Sequence, residues 1–140
     1  MSAPPNPNPR VLVTEILDKA RKKDVLRTVV NVLLVKNIRQ VRVKFGFVVD
    51  RDLKGKPQGS DQTIPLSDLE SFIESGLTDG TIEWRGGSDF HFYPAGTDLD
   101  FMLCNDADLH LTSSDTSLLM EIGHAISASG IKVYDSGRLI

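Results

Sequence analysis

The stretch SDFHFYPAGTDLDFMLCNDADLHLT, Ser88 to Thr112, decides the fold. Phe90, Phe92, Leu99, Phe101, Leu103, Leu109 and Leu111 are apolar, and His91, Asp98, Asp100, Asp108 and His110 fall between them. A period of two is the mark of strands with one face on a core and one face toward water. PAGT and CNDAD interrupt the alternation and turn the chain, so the stretch reads as a β-meander. Ile82 and Trp84 alternate with Thr81 and Glu83 just upstream, and GGS supplies a turn into Phe90. These four strands keep their apolar faces together when Trp84 meets Phe90, Phe92 meets Leu99, and Phe90 meets Phe101. The last turn is either Asn105 to Ala107 or Cys104 to Asp106. Both choices set Phe101 and Leu103 beside Leu109 and Leu111.

The flanks add helices and further strands. Upstream, Val41, Val43, Phe45, Phe47 and Val49 share one face of a strand, with Gln40, Arg42 and Lys44 on the other. DRDLKGKPQGSDQ then reads as an exposed loop. SDLE, Ser67 to Glu70, has the form of a capping box ahead of a short helix carrying Leu69, Phe72, Ile73 and Leu77, with Gly76 near its end. Between Arg10 and Lys36 the spacing predicts two helices. One carries Leu12, Val13, Ile16, Leu17 and Ala20; the other starts at Asp24 and carries Leu26, Val29, Val30, Leu33 and Leu34. A final helix is capped by Ser114 or Asp115, buries Leu118, Leu119, Ile122, Ala125 and Ile126, and stops at Gly130. IKVYD closes the chain as a strand. The class is α+β: a mainly antiparallel sheet, the β-meander plus flanking strands, with helices packed on one face.

Composition narrows the function. The chain has 140 residues, a net charge of −3 and one cysteine, Cys104. Residues 1–9, rich in Pro and Asn, read as a flexible tail, and residues 10–140 as a single α+β domain. The acidic balance argues against nucleic acid as a partner. A lone cysteine excludes an internal disulfide and a Cys-rich zinc site. No secretory leader or membrane-spanning stretch is present in the sequence, so the expected compartment is the cytoplasm. HExxH, GxSxG and P-loop patterns are absent. His124 falls opposite the apolar stripe of the last helix, toward solvent.

The polar half of the meander is the one constellation that could carry chemistry. In the predicted register Glu83 faces His91, His91 faces Asp100, and Asp100 faces His110 or Thr112, with Asp98, Asp108 and Tyr93 beside them. Such a row has three readings. It is a solvated sheet face with modest cross-strand pairs; it is a face that docks another protein; or it is a metal or general-base site. The last needs an enclosing cleft, which nothing in the sequence supplies. Hence no catalytic residue, metal or cofactor is assigned. The expected function is a small, acidic, non-catalytic protein that binds another protein through Glu83, His91, Asp98, Asp100, Asp108 and His110. An immunity-type protein that neutralises a basic toxin is one example, because opposite charge speeds encounter. The alternatives are a metal-dependent or His/Asp enzyme using the polar row, and an adaptor or subunit of a larger assembly.

Overall fold

The structure, a computed structural model, describes residues 9–45, 60–79, 90–103 and 108–140. In chain order these form β1 (Arg10–Thr14), α1 (Lys19–Val35), β2 (Gln40–Phe45), β3 (Ser60–Pro65), a 3₁₀ turn (Leu66–Asp68) and α2 (Leu69–Asp79). β4 (Phe90–Pro94), β5 (Asp100–Leu103), β6 (Leu109–Ser113), α3 (Thr116–Ala128), β7 (Val133–Asp135) and β8 (Arg138–Leu139) follow. The strands make one antiparallel sheet in the order β3-β2-β4-β5-β6-β1-β7-β8. Successive cross-strand neighbours Val43, Phe92, Phe101, Leu111 and Leu12 build the central core row, and all five are fully buried. Phe92 and Phe101 stack at 4.8 Å between centroids. Val25, Val29 and Leu33 of α1, Leu69 and Ile73 of α2, and Leu119, Ile122 and Ile126 of α3 join the same buried cluster. The helices therefore lie on one face of an antiparallel sheet, the α+β arrangement expected from the meander.

The N-terminal segment differs from its sequence reading. Residues 10–14 form a strand, and one 17-residue helix follows where two were expected. β1 turns Leu12 and Thr14 inward, while Ile16 is 73% exposed, which a helical stripe would not allow. Val11, Val13 and Thr14 are β-branched and suit a strand. β1 also has partners on both edges, β6 and β7, to take its backbone hydrogen bonds. The helix starts at Asp18, whose side chain accepts from the amide of Arg21 at 2.8 Å. Asp24, the expected cap, lies inside it. Lys22 is buried on this helix, and desolvation lowers the pKa of its ammonium group. Asn37 ends the helix at φ 67°, its amide and that of Ile38 closing back on Leu34 and Leu33.

Three further differences have local causes. Ser60, Asp61 and Gln62, expected in a loop, are part of β3, the edge strand among the described residues, a place where polar residues are tolerated. The capping box does not form. Ser67 sits in the 3₁₀ turn, and Glu70 instead accepts three hydrogen bonds from Arg27 of α1, at 3.1, 3.2 and 3.4 Å. α2 runs through Gly76 to Asp79. At the other end of the chain the closing strand becomes a hairpin: Ser136 and Gly137 both take positive φ, the geometry of a two-residue turn between β7 and β8. α3 is capped by Asp115, one of the two expected caps, and is followed as expected by Gly130, at φ 97°. Among the described residues no helix is long and apolar enough to cross a membrane.

Candidate functional site

Strand alternation sends every second side chain to the face opposite the helices. Along that face Lys44, His91, Met102, His110, Val13, Tyr134 and Leu139 are successive cross-strand neighbours, a row spanning β2 to β8. Beside it Arg42 lies opposite Tyr93, and Thr112 lies between Asp100 and Val11. Among the described residues no helix packs on this side, because the buried stripes of all three helices belong to the core on the other side.

The expected Glu–His–Asp–His row is here two separate His–Asp pairs. His91 Nδ1 donates to the Asp100 carboxylate at 3.0 and 3.2 Å, and both side chains are 31% exposed. Asp100 is not directly opposite His91, as the sequence register had it. β4 and β5 pair two residues further along, so Met102 faces His91 and Asp100 is its diagonal neighbour. The slip arises because residues 97–99 run outside the ladder, held by Thr97, which donates to the Pro94 carbonyl and accepts from the Leu99 amide. Asp100 is opposite Thr112, one of the two expected partners. The second pair is His110 Nε2 donating to Asp108 at 3.0 Å. His91 leans toward residue 93, where its ring stacks on Tyr93 at 5.9 Å. His110 is tied toward residue 108, in the other direction along the strands. Met102 stands between the imidazoles, which are two strands and hence about 10 Å apart. Among the described residues no three His, Cys, Asp or Glu side chains lie together as a metal-binding group.

Asp98 serves a different purpose. Its carboxylate accepts from the hydroxyls of Ser113 and Ser114 and from the Ser114 amide, the last at 2.9 Å. The Ser113 hydroxyl in turn accepts from the Asp115 amide at 2.9 Å, and Asp115 caps α3. Asp98 thus ties the start of β5 to the junction between β6 and α3. The hydrogen bonds from Ser113 and Ser114 hold its pKa below the ordinary aspartate value. Glu83, Trp84 and Cys104 lie outside the described residues. The expected Glu83–His91 pairing therefore falls outside them, and the ladder partners of His91 that the structure describes are Lys44 on β2 and Met102 on β5.

The sequence reading passed over the residues that give the face its character. The alternation of β2 puts Arg42 and Lys44 on the polar side of a strand, and only the β2–β4 pairing brings them beside Tyr93 and His91. The Arg42 guanidinium sits 4.7 Å from the centre of the Tyr93 ring, a cation–π contact. The face therefore carries a basic strip on β2 and an acidic strip, Asp100 and Asp108, on the side of β5 and β6. It is mixed in sign, with Tyr93 and Met102 half-buried between the strips. A shallow groove of about 690 Å³ lies further along, at β1 and the β7–β8 hairpin, lined by Val11, Val13, Tyr134 and Arg10 among others. Among the described residues neither place brings a nucleophile and a base together.

These elements define the class, an α+β domain with one sheet face covered by helices and the other bare among the described residues. No protein-family model, no curated protein and no solved structure matches the chain.

Proposed function

We propose that this chain is a non-catalytic protein-binding domain that works through the open face of its sheet. The observation that carries this reading is the row from Lys44 to Leu139, a broad surface of mixed polar, aromatic and aliphatic side chains. Aromatic residues, Met and Arg are the side chains enriched in protein interfaces, and Tyr93, Met102, Arg42 and Tyr134 supply them here. Neutralising another protein in the manner of an immunity protein is one employment of such a face. The strips of opposite sign favour a partner of mixed charge over a uniformly basic one. Residence in the cytoplasm belongs to the same proposal.

A photo-crosslinking amino acid placed at Thr112, on the open face, or at His124, on the exposed side of α3, tests the reading. The expected result is a protein adduct from position 112 that position 124 does not give. The captured protein, once purified, should bind the wild-type chain and bind Tyr93→Ala more weakly. Adducts from position 124 alone, or rebinding indifferent to Tyr93, would place the interface elsewhere.

A further inference from the structure

The open face is complementary to itself, and we infer that its occupant is a second copy of this chain. This rests on the protein-binding reading above. The basic side chains Arg42 and Lys44 lie on β2, and the acidic Asp100 and Asp108 lie on β5 and just before β6. In the sheet order the line between β4 and β5 is equidistant from β2 and β6. A two-fold axis along that line, parallel to the strands, sets β2 of one copy over β6 of the other and β4 over β5. Arg42 and Lys44 then lie over Thr112 and His110 of the other copy, each with an acid as diagonal neighbour, Asp100 one strand aside and Asp108 two residues along, and Tyr93 lies over Asp100. A uniformly charged partner would instead meet like charge on one strip. A two-fold interface is self-complementary by construction, and the strands of the two sheets run nearly along one another, as in aligned sheet packing.

The size of the face sets the strength. Six strands overlap in this arrangement, β3 to β1, about 29 Å across, and five-residue strands are about 17 Å long. The interface is on the order of 1,000 Å² in total, near the lower limit for a specific complex, so the dimer is weak and reversible.

Sedimentation equilibrium on the full chain, from about 10 μM to about 1 mM, tests this. The wild type is expected to show a monomer–dimer equilibrium that weakens as salt is added, because the strips are solvent-facing charges. R42E/K44E and D100K/D108K should each weaken dimerisation about tenfold or more, and an equimolar mixture of the two should recover it. Asp61 lies opposite Lys44 on β3, so Arg42→Glu is also tested alone. Circular dichroism checks that each variant is folded. A wild type monomeric throughout the range overturns the inference. So does a dimer indifferent to salt, or reversals that have no effect, or folded variants whose mixture stays monomeric. A monomeric chain removes only the second copy as occupant; the crosslink from position 112 judges the protein-binding reading separately.

Discussion

Replacing Asp98 with Asn removes one charge and little volume, and the structure gives the cost. The carboxylate accepts from three donors at the β6–α3 junction. Ser113 is 1% exposed, so its bond is made away from water and contributes about 1.5–3 kcal/mol as a hydrogen bond to a charged group. Asp98 and Ser114 are themselves exposed, so the two Ser114 bonds are screened and together contribute about 1 kcal/mol at most. The amide oxygen of Asn still accepts, without the charge, so Asp98→Asn should cost about 1–2 kcal/mol at pH 7. Asp98→Ala also strands the buried Ser113 hydroxyl and should cost about 3 kcal/mol. The pKa of Asp98 is lowered in the folded state, so the native protein favours the ionised form. The corresponding stability is fully present above the unfolded value, about 3.9, and is lost as pH falls through the folded value. Urea unfolding of wild type and Asp98→Asn, followed by far-ultraviolet circular dichroism, should give a constant gap from pH 7 to pH 5 that narrows below about pH 4. Comparing the two proteins at each pH cancels the other carboxylates. A gap that stays constant down to about pH 2, or no gap at pH 7, would show that the Ser113 bond does not hold the junction.

Two further substitutions probe the core. Phe101→Ala empties a fully buried site stacked against Phe92 and should cost about 3–5 kcal/mol in urea unfolding; a loss under about 1 kcal/mol would mean that the sheet faces are assigned the wrong way round. At Gly123 in α3 an added Cβ would lie 2.6 Å from Leu12 Cδ1 and 3.1 Å from Ile140 Cδ1. Gly123→Ala gains about 1 kcal/mol of helix propensity but overpacks the contact with β1 by about 1–3 kcal/mol, for a net loss near 1 kcal/mol. A rise in melting temperature would show that Leu12 has room to move.

What the sequence revealed depended on the distance over which each feature is decided. The alternation of β4, β5 and β6 and the stripe of α3 are local, and both were readable. β1 was not, because Leu12, Val13, Ile16 and Leu17 fit a helical period, and only pairing with strands far along the chain selects the extended form. β3 carries Ser, Asp, Gln and Thr, a composition that an edge tolerates and a loop shares. At the site, parity and the β5–β6 neighbours survived, and the β4–β5 neighbours did not. A register error of two residues kept His91 and Asp100 on the correct face but put Met102 where Asp100 was expected. Lys44 was placed on the polar side of its strand without any sign of what it would face, since β2 and β4 are separated by α2. Asp98 shared the periodicity of the polar row, and nothing local marked it as the acceptor for Ser113 and Ser114.

The position of β1 governs when the sheet can be completed. Arg10 pairs with Ser113 and Thr14 with Val133, so the first strand waits on segments more than a hundred residues downstream. A hairpin such as β5–β6 closes a short loop and can form early, whereas β1 adds a large loop-closure cost. On the ribosome, β1 leaves the exit tunnel ahead of β6 and β7 and remains without its cross-strand partners until they follow. Until then Val11, Leu12 and Val13 present an unpaired apolar strand, the kind of segment that holdase chaperones bind.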